Sequence, residues 1–374
     1  MSEFKLIKSC DIYTPLRVIK NGSILIQGEK IAKVGQIDDS KIPPGTKILD
    51  FSQRLAVPGF IDIHLHGGGG VDFLDSSPDS IGKALKAHLK NGTTSLLPSI
   101  MTTSHKHALD TIRTFIDIKR SIPGIPDIIG LNLEGPYISM EKSGAQRTQY
   151  IRKPSLTEVQ EYIKASEGNI KIMTVAPEIE GASDTIHFLS KQDIIPSAGH
   201  TNANYEQTQQ AVNLGVRLAT HLFNAMRGIA HREPGAAGAL LLNDDVYTEV
   251  VADGIHLHPS ILDLIARVKP VEKIILVTDA SKYYGISQGA SFTRDGKLFG
   301  STTALSLALK NMIQFSGMPF EKVLRMVTIN PAKLLRVESQ KGILKRGSDA
   351  DIVIMDKEMN LSDVFFRGKR FTPS

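Results

Sequence analysis

Cysteine is almost absent. Cys10 is the single one among 374 residues, so an internal disulfide framework is impossible. A reducing, cytoplasmic setting is the expectation that follows. Long apolar runs are missing too, and none approaches the ~18 residues of a membrane span. The first ten residues alternate apolar and polar and lack the apolar core of a signal peptide. Charge of one sign is not in large excess. Lys and Arg number 44, Asp and Glu 39, for a net +5. That suits an anionic small substrate and is too small and dispersed for nucleic acid. No internal repeat or low-complexity tract occurs. What is present is ordinary globular composition, 41% hydrophobic and 22% charged, in a chain long enough to bury a core unaided. The length fits two domains or one large barrel.

Both ends of the chain read as β-rich. Short strands are expected at 4–7, 23–27 and 30–34, the last two joined by a turn at Gly28-Glu29. At the other end, strands are expected at 342–344, 351–355 and 364–371. Between about 57 and 337 the pattern is strand, loop, helix, repeated. Strands are predicted at Phe60–Leu65, 94–99, 128–133, Ile170–Val175, 194–198, 217–220, 247–251 and 273–278. Helices are predicted at 79–90, with Ser77 as N-cap and Asn91-Gly92 as the stop, and at 104–120. Ser155-Leu156-Thr157-Glu158 reads as a capping box. Eight strands at βα spacing predict an α/β fold, a (β/α)₈ TIM-type barrel rather than an open doubly wound sheet.

Barrel chemistry gathers at the C-terminal strand ends, and polar residues stand there. The first strand runs into His64-Leu65-His66. Simple alternation puts Asp62, His64 and His66 on one face and Ile61, Ile63 and Leu65 on the other, packed on helices. An isolated HxH is more often two hydrogen-bonded core histidines. A strand-end position before Gly67-Gly68-Gly69-Gly70 favours a metal-ligand pair. The glycines lack the Gly-Lys-Ser/Thr continuation of a phosphate-binding P-loop. The third strand ends at Glu134-Gly135-Pro136, and a carboxylate in an apolar barrel needs a partner such as a cation. Later strands end at His200, His221 and Asp279. Any one of these is more often structural than functional. Six such groups at the ends of five strands are hard to assign to chance. His and carboxylate ligands without cysteine suit Zn²⁺, Fe²⁺, Mn²⁺ or Co²⁺. A cation with open positions acidifies water, and Asp279 is placed to take that proton and return it to a leaving group. The residues alone therefore indicate metal-assisted hydrolysis. His88, His105, His107 and His187 are expected on helices facing solvent, and His258 just before a helix.

The motifs resemble the amidohydrolase superfamily. The resemblance rests on Pro58-Gly59-Phe60-Ile61-Asp62-Ile63-His64-Leu65-His66, on the ordered later ligands, and on Gly347-Ser348-Asp349-Ala350-Asp351-Ile352-Val353. More narrowly it is similar to the N-acetylglucosamine-6-phosphate deacetylases, through Leu133-Glu134-Gly135-Pro136, Ala198-Gly199-His200-Thr201, Thr220-His221-Leu222-Phe223-Asn224-Ala225-Met226, His231-Arg232-Glu233-Pro234-Gly235, Ala252-Asp253-Gly254-Ile255-His256 and Val277-Thr278-Asp279. The motifs run in family order from about residue 57 to 355.

This resemblance implies a distorted barrel over 58–340 with a small β-sandwich built from 1–57 and 341–374. It implies Glu134, His200 and His221 as ligands of a principal metal, His64 and His66 for a second, and Asp279 as acid/base. Asn224 and Ala225 match a segment that contacts the sugar phosphate through its backbone. Arg232 and His256 match substrate and phosphate contacts, with the arginine reaching into a neighbouring subunit, so a homodimer is implied. Gly144-Ala145-Gln146 stands where some members carry a histidine that contacts the acetyl group; glutamine donates a hydrogen bond but cannot become a cation. Leu298, Phe299 and Gly300 resemble a substrate-contacting turn, although the preceding segment from 280 is shorter than in relatives. The implied activity removes the acetyl group of N-acetylglucosamine 6-phosphate. Alternatives are the N-acetylgalactosamine 6-phosphate reaction and a non-catalytic sugar-phosphate-binding barrel. Cyclic-amide hydrolases with a carboxylated lysine are disfavoured by Glu134.

Overall fold

The computed structural model describes residues 3–293 and 296–372. Eight parallel strands make the barrel: β1 (Phe60–Leu65), β2 (Thr93–Met101), β3 (Leu131–Glu134), β4 (Ile170–Val175), β5 (Ile195–Ala198), β6 (Leu218–Ala219), β7 (Tyr247–Val250) and β8 (Ile274–Leu276). Each pairs in parallel with the next. A bridge between Leu65 and Ala280 closes the ring. There the His66 N–H donates to Ala280 O at 2.8 Å and the Asp279 N–H to His64 O at 2.9 Å. Closure therefore sets the HxH segment beside Asp279 through backbone bonds.

Inside the ring, Ile61, Ile63, Leu97, Ile172, Leu218, Ile275 and Val277 form one cluster with Leu334 and Leu335 below. Ile61 and Ile63 thus face the barrel interior, contrary to the alternation argument, while Leu65 joins the outer cluster with helix residues such as Leu85 and Ile112. The cause is a register slip in the β1–β2 pairing between Asp62 and Leu65. A slip re-aims the side chains beyond it, so two inward isoleucines are followed by two imidazoles in the pocket. Asp62 is left out of the site. It accepts from Thr278 Oγ1 at 2.6 Å, and burial pushes its carboxyl up to about 7.

The two chain ends meet in one eight-stranded sheet with a core of its own, including Ile7, Ile12, Ile24, Ile352 and Phe365. Leu55–Pro58 runs antiparallel to Ile352–Met355 and stitches the ends together. Lys341, buried, joins this sheet to the barrel by ion pairs to Asp349 and Asp351 at 2.7 Å and to Asp127. Three of the expected strands are absent, split or broken. Residues 342–344 form no strand. Residues 364–371 are a hairpin, Leu361–Phe366 and Lys369–Phe371, because Gly368 turns the chain at φ +71°. The 128–133 strand is broken into Asp127–Ile128 and Leu131–Glu134. The capping box forms by half. Ser155 accepts from the Glu158 N–H, but the Glu158 carboxylate turns to Tyr137 and Arg152 instead.

His88 is buried, not solvent-facing. It falls on the apolar face of the helix Pro78–Lys90 with Ile81, Ala84 and Leu85, the i, i+3, i+4, i+7 stripe. Its Nε2–H donates to Gly67 O at 2.9 Å and its ring stacks on Tyr284 at 4.0 Å. His105 and His107 are half-buried and His187 is exposed. Burial pushes the His88 imidazole down to about 4. An unfolded histidine takes its proton near 6.5. Acidification therefore protonates the unfolded chain first, and stability present above pH 6.5 is lost on the way down to 4. The expected loss from this residue is about 3 kcal/mol. Urea unfolding at pH 7 and pH 4.5 reads it. The drop should shrink in His88→Gln, which keeps a donor for Gly67 without titrating; an equal drop in both proteins rejects the assignment.

Candidate metal and active site

Glu134 sits at the centre. Its Oε1 lies 3.0 Å from His200 Nε2, 2.9 Å from His221 Nε2 and 3.5 Å from His64 Nε2. Its Oε2 lies 3.3 Å from His66 Nε2. Asp279 closes the group, with Oδ1 3.3 Å from His66 Nε2 and Oδ2 3.5 Å from His256 Nε2. His256 is held from behind by Asp253 Oδ2, 2.6 Å from Nδ1. All six groups expected at the strand ends therefore meet in one place.

The backbone bends sharply to aim them. His200, His221 and Asp279 have φ of 45°, 29° and 47°, a left-handed region that non-glycine residues seldom adopt and that collects at functional sites. Gly300 is needed beside them. It has φ +71°, and a Cβ there would lie 2.6 Å from Asp279 O.

The donor chemistry tests whether a cation fits. His200 Nδ1 faces Lys142 O at 2.9 Å, and a carbonyl only accepts, so Nδ1 carries the proton and Nε2 a bare lone pair. The same reasoning applies at His64, whose Nδ1 faces Glu249 Oε2 at 2.8 Å. Yet His200 Nε2 lies 3.2 Å from His221 Nε2, and His64 Nε2 lies 3.1 Å from His66 Nε2. Lone pairs converging on each other and on a carboxylate are repulsive unless a positive charge lies between them. Two overlapping trios, His64/His66/Asp279 and His64/Glu134/His221, each hold their ligand atoms within 4.8 Å of one another and match the N/O ligand set of a divalent metal. In the metal-free chain a proton on His64 supplies such charge. Burial works against protonation of His64, but Glu249 and Glu134 outweigh it and hold the imidazole well above its usual range. Burial likewise pushes Glu134 up, and the surrounding imidazoles overcome it and hold the carboxyl well below.

The cluster forms the wall of a cavity of about 300 Å³, the lower end of small-ligand pockets. Ala145, Gln146, Asn224, Ala225, His256, Leu298, Phe299 and Gly300 all line it, as the motifs imply. Arg232 does not: it is exposed and lies outside this lining. Gln146 is engaged at both ends. Its Nε2 donates to Glu134 Oε2 at 2.6 Å, and its Oε1 accepts from the Thr102 N–H at 2.7 Å. Met101, Ser281 and Lys297 also line the cavity and were not anticipated; Ser281 and Lys297 border segments that were, and Met101 ends β2, where no site residue was expected. Glu249 on β7 was missed outright, although a carboxylate inside a buried strand is itself a signal that a partner waits.

Residues 55–374 match the amidohydrolase family. The chain belongs to that family. This amidohydrolase is 33% identical over 385 residues to the N-acetylglucosamine-6-phosphate deacetylase of Bacillus subtilis (strain 168), covering 98% of this chain and 97% of that one. It is 31% identical over 346 residues to the N-acetylgalactosamine-6-phosphate deacetylase of Escherichia coli O157:H7, covering 87% and 90%. Among solved structures, the N-acetylglucosamine-6-phosphate deacetylase of Pasteurella multocida superposes with a TM-score of 0.92 at 29% identity, covering 99% of this amidohydrolase and all of that chain. No helix among the described residues is long and apolar enough to cross a membrane.

Proposed function

We propose that this amidohydrolase removes the acetyl group from N-acetyl-D-glucosamine 6-phosphate, giving D-glucosamine 6-phosphate and acetate, in the cytoplasm, as a homodimer. The observation that carries the reading is the convergence of His66, Glu134, His200, His221 and Asp279 on one cavity wall, with His64 buried behind them 3.5 Å from Glu134. The five ligands would hold one or two divalent cations, Zn²⁺, Fe²⁺, Mn²⁺ or Co²⁺, which when bound polarise a carbonyl and acidify water.

The remaining work falls to the chain's own residues. Asp279 is buried, which pushes its carboxyl up, but the hydrogen bond to His66 and the charges of His64, His66 and His256 hold it well below the usual range. It is ionised at neutral pH and accepts the proton of the attacking water. It then hands that proton to the departing amine nitrogen. His256, fixed by Asp253, presents Nε2 to the same cavity. The backbone turn at Asn224-Ala225 and the 298–300 strand supply walls for the sugar phosphate. Arg232, exposed on its own chain, would reach the cavity of the partner subunit. We place the division between a barrel of 58–340 and a smaller unit of 1–57 and 341–374.

A panel of both phosphorylated N-acetylhexosamines and their unphosphorylated forms tests this. Acetate release from N-acetylglucosamine 6-phosphate is expected to be the fastest. Arg232→Ala should lower kcat/KM for the phosphorylated sugar about 10–100-fold, the value of a charge-assisted hydrogen bond of 1.5–3 kcal/mol, and leave the unphosphorylated sugar unchanged. If loss of the phosphate barely alters kcat/KM, the roles of Arg232 and His256 fall. The Escherichia coli relative favours a second reading, the same hydrolysis of N-acetylgalactosamine 6-phosphate. The two sugars differ at one hydroxyl, and the same panel separates them.

A further inference from the structure

Glu249 is completely buried on β7, a strand whose end carries none of the anticipated ligands. Its Oε2 receives two donors, His64 Nδ1 at 2.8 Å and the His221 N–H at 3.1 Å. Its Oε1 is buried with no hydrogen-bond partner among the described residues. A carboxylate in that position, half of it unsatisfied, is costly unless positive charge lies close by.

The backing of the four imidazoles is unequal. His200 Nδ1 has a neutral carbonyl behind it. His66 Nδ1 and His221 Nδ1 are buried without partners. His64 alone among them has a carboxylate behind it. A carboxylate on the far nitrogen fixes the tautomer, stops the ring from turning and makes the near nitrogen a stronger donor. We infer that Glu249 is a positioning residue for the His64/His66 cation: it fixes His64 with Nε2 bare, supplies the charge behind it, and decides whether that pair holds a second ion beside the Glu134/His200/His221 one. Because the same oxygen also takes the His221 N–H, Glu249 ties the two halves of the centre together from beneath. This rests on the reading that the centre holds divalent cations.

The test counts ions rather than turnover. Glu249→Gln keeps an acceptor oxygen for His64 and His221 and removes the charge. Zn²⁺-loaded wild type and variant are dialysed against graded chelator and their metal counted by mass spectrometry; Co²⁺-loaded samples are followed by absorption. One ion per chain should weaken about 10–100-fold in the variant, with the other unchanged. A second measurement needs no variant: in Zn²⁺-loaded wild type, ¹⁵N NMR should show His64 protonated on Nδ1. Equal affinity for both ions in the two proteins, equal weakening of both ions, or a His64 proton on Nε2 overturns this inference alone. A wild-type chain that binds no ion overturns the underlying reading and this inference with it.

Discussion

Asp279→Asn is expected to lower kcat for acetate release about 10³-fold, within the 10²–10⁴ span of general acid–base catalysis, with KM little changed. The substitution keeps shape and most hydrogen-bonding capacity, so it removes the proton-accepting function selectively. Asp279 is not needed to hold the fold's apolar core. What anchors its backbone is the pairing of its N–H with His64 O and of its carbonyl with the Ser301 N–H, at 2.9 and 2.8 Å, and neither bond involves the side chain. The loss should fall on kcat because the proton moves only as the reaction proceeds, and an interaction made in the transition state lowers kcat and kcat/KM together. Circular dichroism and thermal unfolding check that the chain is folded. Turnover within about tenfold of wild type in a folded variant would remove Asp279 from the role, because so small an effect lies below that span. In that event His256, the cavity-wall imidazole beside Asp279 that is not among the five metal ligands, is the group to change next.

Much of this site was readable before any coordinates because a parallel barrel obeys a positional rule. His64, Glu134, His200, His221 and Asp279 each follow an apolar strand, and closure of the ring converts five separate strand ends into one rim. The eight strands themselves were legible for the same reason, since strands buried on both faces read as apolar runs. What escaped was what depends on tertiary contact. The slip between Asp62 and Leu65 is a property of how β1 meets β2, and nothing within Phe60–Leu65 signals it, so Ile61 and Ile63 were assigned to the wrong face. Glu249 reads as one carboxylate in a short strand; its meaning appears only when His64, 185 positions away, arrives at 2.8 Å. His88 was a different failure. Its place on the Ile81–Ala84–Leu85 stripe is visible in the spacing, and that stripe, not the polarity of an imidazole, decides its burial. Gly368 likewise marks a turn within 364–371, at φ +71°.

Removing the cations should be more damaging than any single substitution. Protein exhaustively dialysed against a chelator is expected to lose acetate release by at least about 10³-fold, since the cation contributes several kcal/mol to such reactions and each 1.36 kcal/mol is tenfold. Asp279 then faces a water that is no more acidic than bulk, so its proton-accepting position no longer suffices. Adding back Zn²⁺, Mn²⁺, Co²⁺ or Fe²⁺ one at a time should restore turnover, and the ion that restores most identifies the preferred metal. Stability should move with it. An ion bound only by the folded chain adds RT ln(1 + [L]/Kd), about 4 kcal/mol at a thousandfold excess over Kd, so Tm should fall on stripping and recover on reloading. The direction follows from the geometry: His64 and His66, and His200 and His221, point their Nε2 atoms at each other across 3.1 and 3.2 Å, and the stripped chain must hold them there uncompensated or fill the gap with protons. Because protons and metal compete for the same lone pairs, the concentration needed for half-restoration should rise as the pH is lowered. A preparation shown by mass spectrometry to be free of metal, yet turning over at the loaded rate with an unchanged Tm, would mean that the convergence of these five ligands serves packing alone.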